Sequence, residues 1–148
     1  MADSGAEAFT LKSWRTAAAN WPAAAALGGR ICLSGIFLIS GLGKLTAPGP
    51  TIAFIESAGL YLPQLGLAIA VCIEILGGLA LLTGYRVRWA ASVLTVFSLA
   101  TPITFHAHLA DQNQLMHFLK NVAIAGGMLH VVVLGGGRYS LDARRVSS

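Results

Sequence analysis

Five side chains in this 148-residue chain can donate, accept or exchange protons while standing in apolar surroundings: Arg30, Lys44, Glu74, His106 and Asn121. An ionisable group at bilayer depth is expensive and usually faces a bundle interior, so each is a functional candidate by default. A buried carboxyl such as Glu74 exchanges protons, and a histidine such as His106 relays them near neutral pH. Arg30, Lys44 and Asn121 supply hydrogen-bond donors. Together they make the chemistry expected around a quinone or another small polar headgroup, in a pocket opening to the outer face. Glu74 and His106 are the expected proton-exchanging pair, with Arg30, Lys44 and Asn121 as ligand contacts.

Helical spacing decides whether these residues share faces. Arg30, Ser34, Phe37, Gly41 and Lys44 recur at intervals of four, three, four and three, which places them on one helical face. The series Arg88, Ser92, Thr95, Leu99, Pro102 and His106 repeats the pattern. Glu74 shares a face with Ala70, Gly78 and Leu81, and Asn121 with His117, Ala125 and Met128. Four stripes of polar or small residues thus converge on one interior. At 1.5 Å per residue, Arg30 and Glu74 differ by only about 7 Å in height, so an Arg30–Glu74 ion pair is expected. Such a pair either fixes helix register or forms the floor of the pocket. Pro102 removes the helix bond to the Ser98 carbonyl, leaving an acceptor inside the bundle just below His106.

The elements carrying these stripes are membrane spans. Hydrophobic residues make up 55% of the chain, charged ones 11%, and the mean hydropathy is +0.70. An ordinary soluble domain is about 25% charged, so a soluble or disordered chain is excluded. Because a spanning helix needs about 20 mostly apolar residues, four spans are read at 23–43, 65–82, 89–105 and 118–134. Residues 1–22 form a tail with an optional surface helix at its middle, 23–135 the membrane domain, and 136–148 a second tail. No apolar core precedes the first span, so it is not read as a cleavable signal. The expected fold is all-α, an antiparallel up-down-up-down bundle of four transmembrane helices. Residues 51–58 read as a short helix lying on the membrane, ended by Gly59. Pro22 and Pro63 suit first helical turns. The glycines at 28, 29, 35, 41, 43, 77, 78, 126 and 127 suit close helix approach.

Orientation follows the cations. Lys12, Arg15, Arg86, Arg88, Arg138, Arg144 and Arg145 fall on the side of the termini and middle loop, against Lys44 and Lys120 on the other. Both termini are therefore expected in the cytoplasm. The net charge of +4 is absorbed by this asymmetry, and no basic stripe points to nucleic acid. His106, His108 and His117 lack a standard metal-ligand spacing, so no metal is assigned. A bis-His haem would need histidines facing at matched depth and is disfavoured. Cys32 and Cys72 lie in apolar runs and form no CxxC pair.

The residues singled out resemble the DoxX family of small four-helix membrane proteins. The resemblance runs from Arg30 to Asp142 through Gly41-Leu42-Gly43-Lys44, Glu74-Ile75-Leu76-Gly77-Gly78, Leu82-Thr83-Gly84, Phe105-His106, Lys120-Asn121, Gly126-Gly127 and Ser140-Leu141-Asp142. It implies a bacterial inner-membrane protein whose shared polar positions are Arg30, Lys44, Glu74, His106 and Asn121. Related DoxD proteins are connected with a thiosulfate:quinone oxidoreductase, and family members with redox and oxidative-stress systems. The resemblance therefore implies a membrane subunit binding a quinone and working with a soluble redox partner, alone or as a homo-oligomer. The chain has no independent catalytic motif, and no cofactor beyond the quinone is implied. A non-enzymatic scaffold or assembly factor is the alternative. A small-solute carrier comes third, because no inverted repeat is present.

Overall fold

The computed structural model describes the backbone of residues 4–105 and 111–146 and the side chains of residues 20–103 and 111–145. Regular structure there is helical throughout: α1 (Ser4–Thr46), α2 (Pro48–Ser57), α3 (Pro63–Thr83), α4 (Val87–Phe105), α5 (Gln112–Leu134) and α6 (Leu141–Val146). Three stretches, Asn20–Thr46, Pro63–Thr83 and Gln112–Leu134, are long and apolar enough to cross a membrane, and α4 is a shorter apolar helix. The 19 residues of α4 rise about 28 Å, close to the hydrocarbon thickness. The chain is a polytopic helical membrane protein. Its outward face fits that solvent, since Ile39, Leu76, Val96 and Val133 are each 65% exposed or more.

The spans pack as two tight pairs, α1 with α3 and α4 with α5, joined through α3 and α4. Side-chain contacts run in opposite senses along α1 and α3, so these helices are antiparallel: Gly41 meets Ile75, whereas Leu38 meets Gly78. A methyl group on Gly41 would lie 2.8 Å from Ile75 Cδ1, and one on Gly78 2.9 Å from Leu38 Cδ2. These glycines let the backbones approach as packing in lipid requires. Gly77 does the same against Leu94 of α4. By contrast Gly28, Gly29, Gly35, Gly43 and Gly126 have no neighbour within 4 Å where a side chain would stand. The packing role expected for them does not hold within this chain.

The buried apolar cluster comprises Phe37, Leu81, Val87, Ala91, Leu94, Ile124 and Met128. The polar stripes of α1, α3 and α5 do face it, but that of α4 is displaced by one position. Ala91, Leu94, Thr95, Ser98 and Pro102 are buried, while Arg88 and Leu99 face outward. The reason lies in local hydrogen bonding. Ser92 Oγ donates to the Arg88 carbonyl at 2.9 Å, Thr95 to Ala91 at 2.7 Å and Thr101 to Phe97 at 2.8 Å. A hydroxyl satisfied on its own helix can stand at either side, so Ser92 is left half-buried at the margin while Thr95 stays in the core.

Boundaries follow from local chemistry. Pro63 occupies the first turn of α3 as expected, whereas Pro22 lies inside α1, which continues upstream to Ser4. Asp111 caps α5, its carboxylate accepting from the Gln114 N–H at 2.9 Å, so α5 starts before the expected position 118. Gly59, with φ 73°, follows α2, and α3 closes on Gly84 at φ 71°, the left-handed geometry glycine adopts without strain.

Candidate functional site

Glu74 sits halfway along α3 and is almost fully enclosed, its side chain 5% exposed. Its Cβ lies 3.2 Å from where a Gly41 side chain would begin, which sets the two residues level. Lys44 stands nearly one turn further along α1. Because side chains lean toward the helix N-terminus, its ammonium reaches back to the carboxylate. Lys44 Nζ donates to both Glu74 oxygens at 2.8 Å and to Ser40 Oγ at 2.7 Å. Ser40 Oγ in turn donates to Glu74 Oε1 at 3.1 Å. The result is a closed triad of ammonium, hydroxyl and carboxylate. Ser40 was absent from the sequence reading, although its i, i+4 relation to Lys44 is the signal that points to it.

This triad lies beside an apolar cavity of about 340 Å³. Lys44 and Glu74 supply its charged edge, and its walls come from Phe54 and Ile55 of α2, Ile69 of α3, and Phe97 and Thr101 of α4. The short helix α2 is held over the cavity by Ile55, which is buried and packs on Gly66. A mostly apolar cavity with a few convergent polar groups is the usual form of a small-molecule site.

The expected Arg30–Glu74 pair is not formed. Arg30 lies eleven residues before Gly41, about 16 Å lower along α1, and Gly41 is the residue level with Glu74. Arg30 instead meets the end of α3, where Nη1 donates to the carbonyls of Leu81 at 3.0 Å and Leu82 at 3.1 Å. Its Nη2 donates to the carbonyl of Tyr139. Those α3 carbonyls have no further helical turn to accept from, and in lipid an orphaned carbonyl costs several kcal/mol. The height reckoned from residue 23 put Arg30 too close to Glu74, because the true register is set by the α1–α3 contact.

Around Arg30 the segment after α5 is stitched to the α3–α4 turn. Asp142 accepts from the Arg86 and Val87 N–H groups at 2.7 and 2.8 Å, capping α4, and its own N–H donates to the Gly84 carbonyl at 3.0 Å. Ser140 Oγ donates to the Gly137 carbonyl at 2.7 Å and accepts from the Ala143 N–H at 3.2 Å. The sequence element Ser140-Leu141-Asp142 is thus a structural clasp.

Of the other expected contacts, Asn121 stands apart from the cavity. Its Nδ2 donates to the His117 carbonyl of its own helix at 2.9 Å. His106 and His108 lie outside the described residues. Below Pro102, Ser98 Oγ is buried without a hydrogen-bond partner among the described residues.

Comparison with known proteins agrees with this architecture. The DoxX family model matches residues 25–107. Inner membrane protein YqjF of Escherichia coli (strain K12) is 34% identical over 113 residues, covering 76% of this chain and 85% of the relative. Inner membrane protein YphA of the same organism is 31% identical over 121 residues, covering 78% and 86%. No solved structure matches. With the family match spanning more than half of the chain and two relatives aligned over most of their lengths, the chain belongs to the DoxX family of membrane proteins.

Proposed function

We propose that this protein binds a lipid-soluble molecule with a small polar headgroup, of the quinone class, in the cavity between α2, α3 and α4. The observation that carries the reading is the Lys44–Ser40–Glu74 triad at the edge of an apolar chamber. Lys44, by turning the N–H it gives to Ser40, offers its ammonium to a ring carbonyl, and Glu74 is the group that hands over or accepts the proton accompanying redox change. His106, four residues beyond Pro102 in sequence, is the relay toward the outer face, while Asn121, bonded to the His117 carbonyl of its own helix and absent from the cavity lining, takes no part in this reading. Arg30 has a different task in this reading, holding the far end of α3 so that Glu74 keeps its height. Reduction of a quinone to quinol takes two electrons and two protons. Since the chain brings no electron carrier motif, a soluble redox protein supplies the electrons.

Both termini face the cytoplasm in this arrangement, which places the cavity on the outer half of the inner membrane. The direct experiment is to titrate ubiquinone-1 into purified full chain in mild detergent, comparing the natural protein with Glu74→Gln and His106→Ala. Each variant is expected to weaken binding about tenfold, the scale of one lost charge-assisted contact. Unchanged quinone binding and redox phenotype in folded variants would refute the reading and favour the scaffold role.

A further inference from the structure

At the opposite end of the bundle from the cavity, the Gly84–Arg88 turn and the glycine segment after α5 leave a groove of about 380 Å³. Arg86, Arg88, Trp89, Gly135, Gly136 and Asp142 are among its lining residues. Cations are common at membrane surfaces, so their number alone says little. What distinguishes this groove is how the cations are engaged. Arg138 donates to Asn20 at 3.3 Å, and Arg145 stacks over the Tyr85 ring at 4.7 Å. The guanidinium groups of Arg86 and Arg88 have no hydrogen bond or ion pair among the described residues. Both oxygens of Asp142, the one acidic lining residue, are taken by backbone N–H groups.

The frame around these two arginines is closely packed and cross-linked by hydrogen bonds. Arg88 lies along Gly135, whose missing side chain leaves room for the guanidinium, with Nε 3.4 Å from where a Cβ would stand. The turn is pinned from below by Arg30 and from the side by Asp142. Trp89, 75% exposed, marks the level at which indole rings settle among lipid headgroups. We propose that this groove is a binding site for the phosphodiester of an anionic phospholipid, with Arg86 and Arg88 as its donors. Two planar guanidinium forks suit phosphate oxygens, and basic pockets between spans are where such headgroups dock.

The test uses purified full chain in zwitterionic micelles at about 0.15 M salt, where fields beyond roughly 8 Å are screened. Phosphatidylglycerol and phosphatidylcholine are offered in equal amounts, and bound lipid is read by native mass spectrometry. The natural protein is expected to keep phosphatidylglycerol preferentially. Arg86→Gln with Arg88→Gln should lower its apparent affinity about tenfold to thirtyfold. Arg144→Gln with Arg145→Gln removes the same charge and should lower it less than about threefold. Equal losses in the two pairs, or no preference in the natural protein, would overturn the proposal. So would displacement of the lipid by an equal concentration of inorganic phosphate, which would assign the groove to a soluble anion. Should the glutamine pair fail to fold, Arg86→Lys with Arg88→Lys keeps the charge but loses the forks, and is expected to weaken binding about threefold to fivefold. Full retention of affinity there would equally overturn it.

Discussion

Removing Lys44 and Glu74 separately and together distinguishes a desolvated ion pair from a solvated one. At 2.8 Å and an effective dielectric constant near 20, the gross attraction is about 6 kcal/mol, from which the desolvation of both ions must be subtracted. The two partners are unequally enclosed, with side chains 22% and 5% exposed. Lys44→Met strands a carboxylate that keeps only Ser40, and should destabilise by about 3 kcal/mol. Glu74→Gln leaves an ammonium that can turn toward the membrane surface, and about 1.5 kcal/mol is expected. The double variant replaces the pair by neutral groups of similar volume and should also lose about 1.5 kcal/mol, giving a coupling of about 3 kcal/mol. Reversible unfolding in mixed micelles, followed by helical circular dichroism, measures all three. A coupling below about 0.5 kcal/mol would mean that the pair is hydrated like a surface salt bridge, and the argument for a dry, ligand-ready chamber would fail.

Three further outcomes follow. Gly84→Ala should destabilise by about 3 kcal/mol, because φ is +71° and the new methyl would lie 2.6 Å from Arg30 Nη1 and 2.8 Å from Ser140 Cα; Gly28→Ala, with nothing within 4 Å, should instead stabilise by up to about 1 kcal/mol in the same assay. Arg30→Met should lower unfolding stability by about 2–3 kcal/mol through the carbonyls it abandons, with quinone affinity of the folded fraction within about twofold of the natural protein, read by titration. In a background of Cys32→Ser and Cys72→Ser, Gly5→Cys should resist a membrane-impermeant thiol reagent in intact cells, and labelling would reverse the assigned orientation.

The spans were legible because lipid imposes a length and an apolar composition that few soluble sequences meet. The α2 helix was legible for a similar reason, as a short apolar stretch stopped by Gly59. Partner choice among buried charges was not. Height reckoned within each span paired Glu74 with Arg30, and only the approach of Gly41 to Glu74 gives the carboxylate to Lys44 instead. That approach depends on how α1 is shifted against α3, which spacing within either helix does not encode. The α4 face was misjudged by one position because Ser92 reads as an inward polar residue in sequence while bonding to its own backbone, and Arg88 and Leu99 on the same stripe face outward. Asn121 likewise turned to its own helix. Arg30 was singled out for its charge, yet its work is that of a cap for helix ends made at different points in the chain.

That clasp has a consequence for the order of events during synthesis. The first N–H groups of α4 wait for a carboxylate 56 and 55 residues further on, and the last carbonyls of α3 share Arg30 with Tyr139, 109 residues beyond it. At roughly 5–20 residues per second, the ribosome delivers Asp142 about 3–11 s after Arg86. Through that interval the turn between the second and third spans is open, and hydration or a chaperone must cover it. Closure of the clasp therefore marks the moment when the bundle becomes a finished object, and a nascent chain stopped before residue 142 should present an unfinished end to membrane quality control.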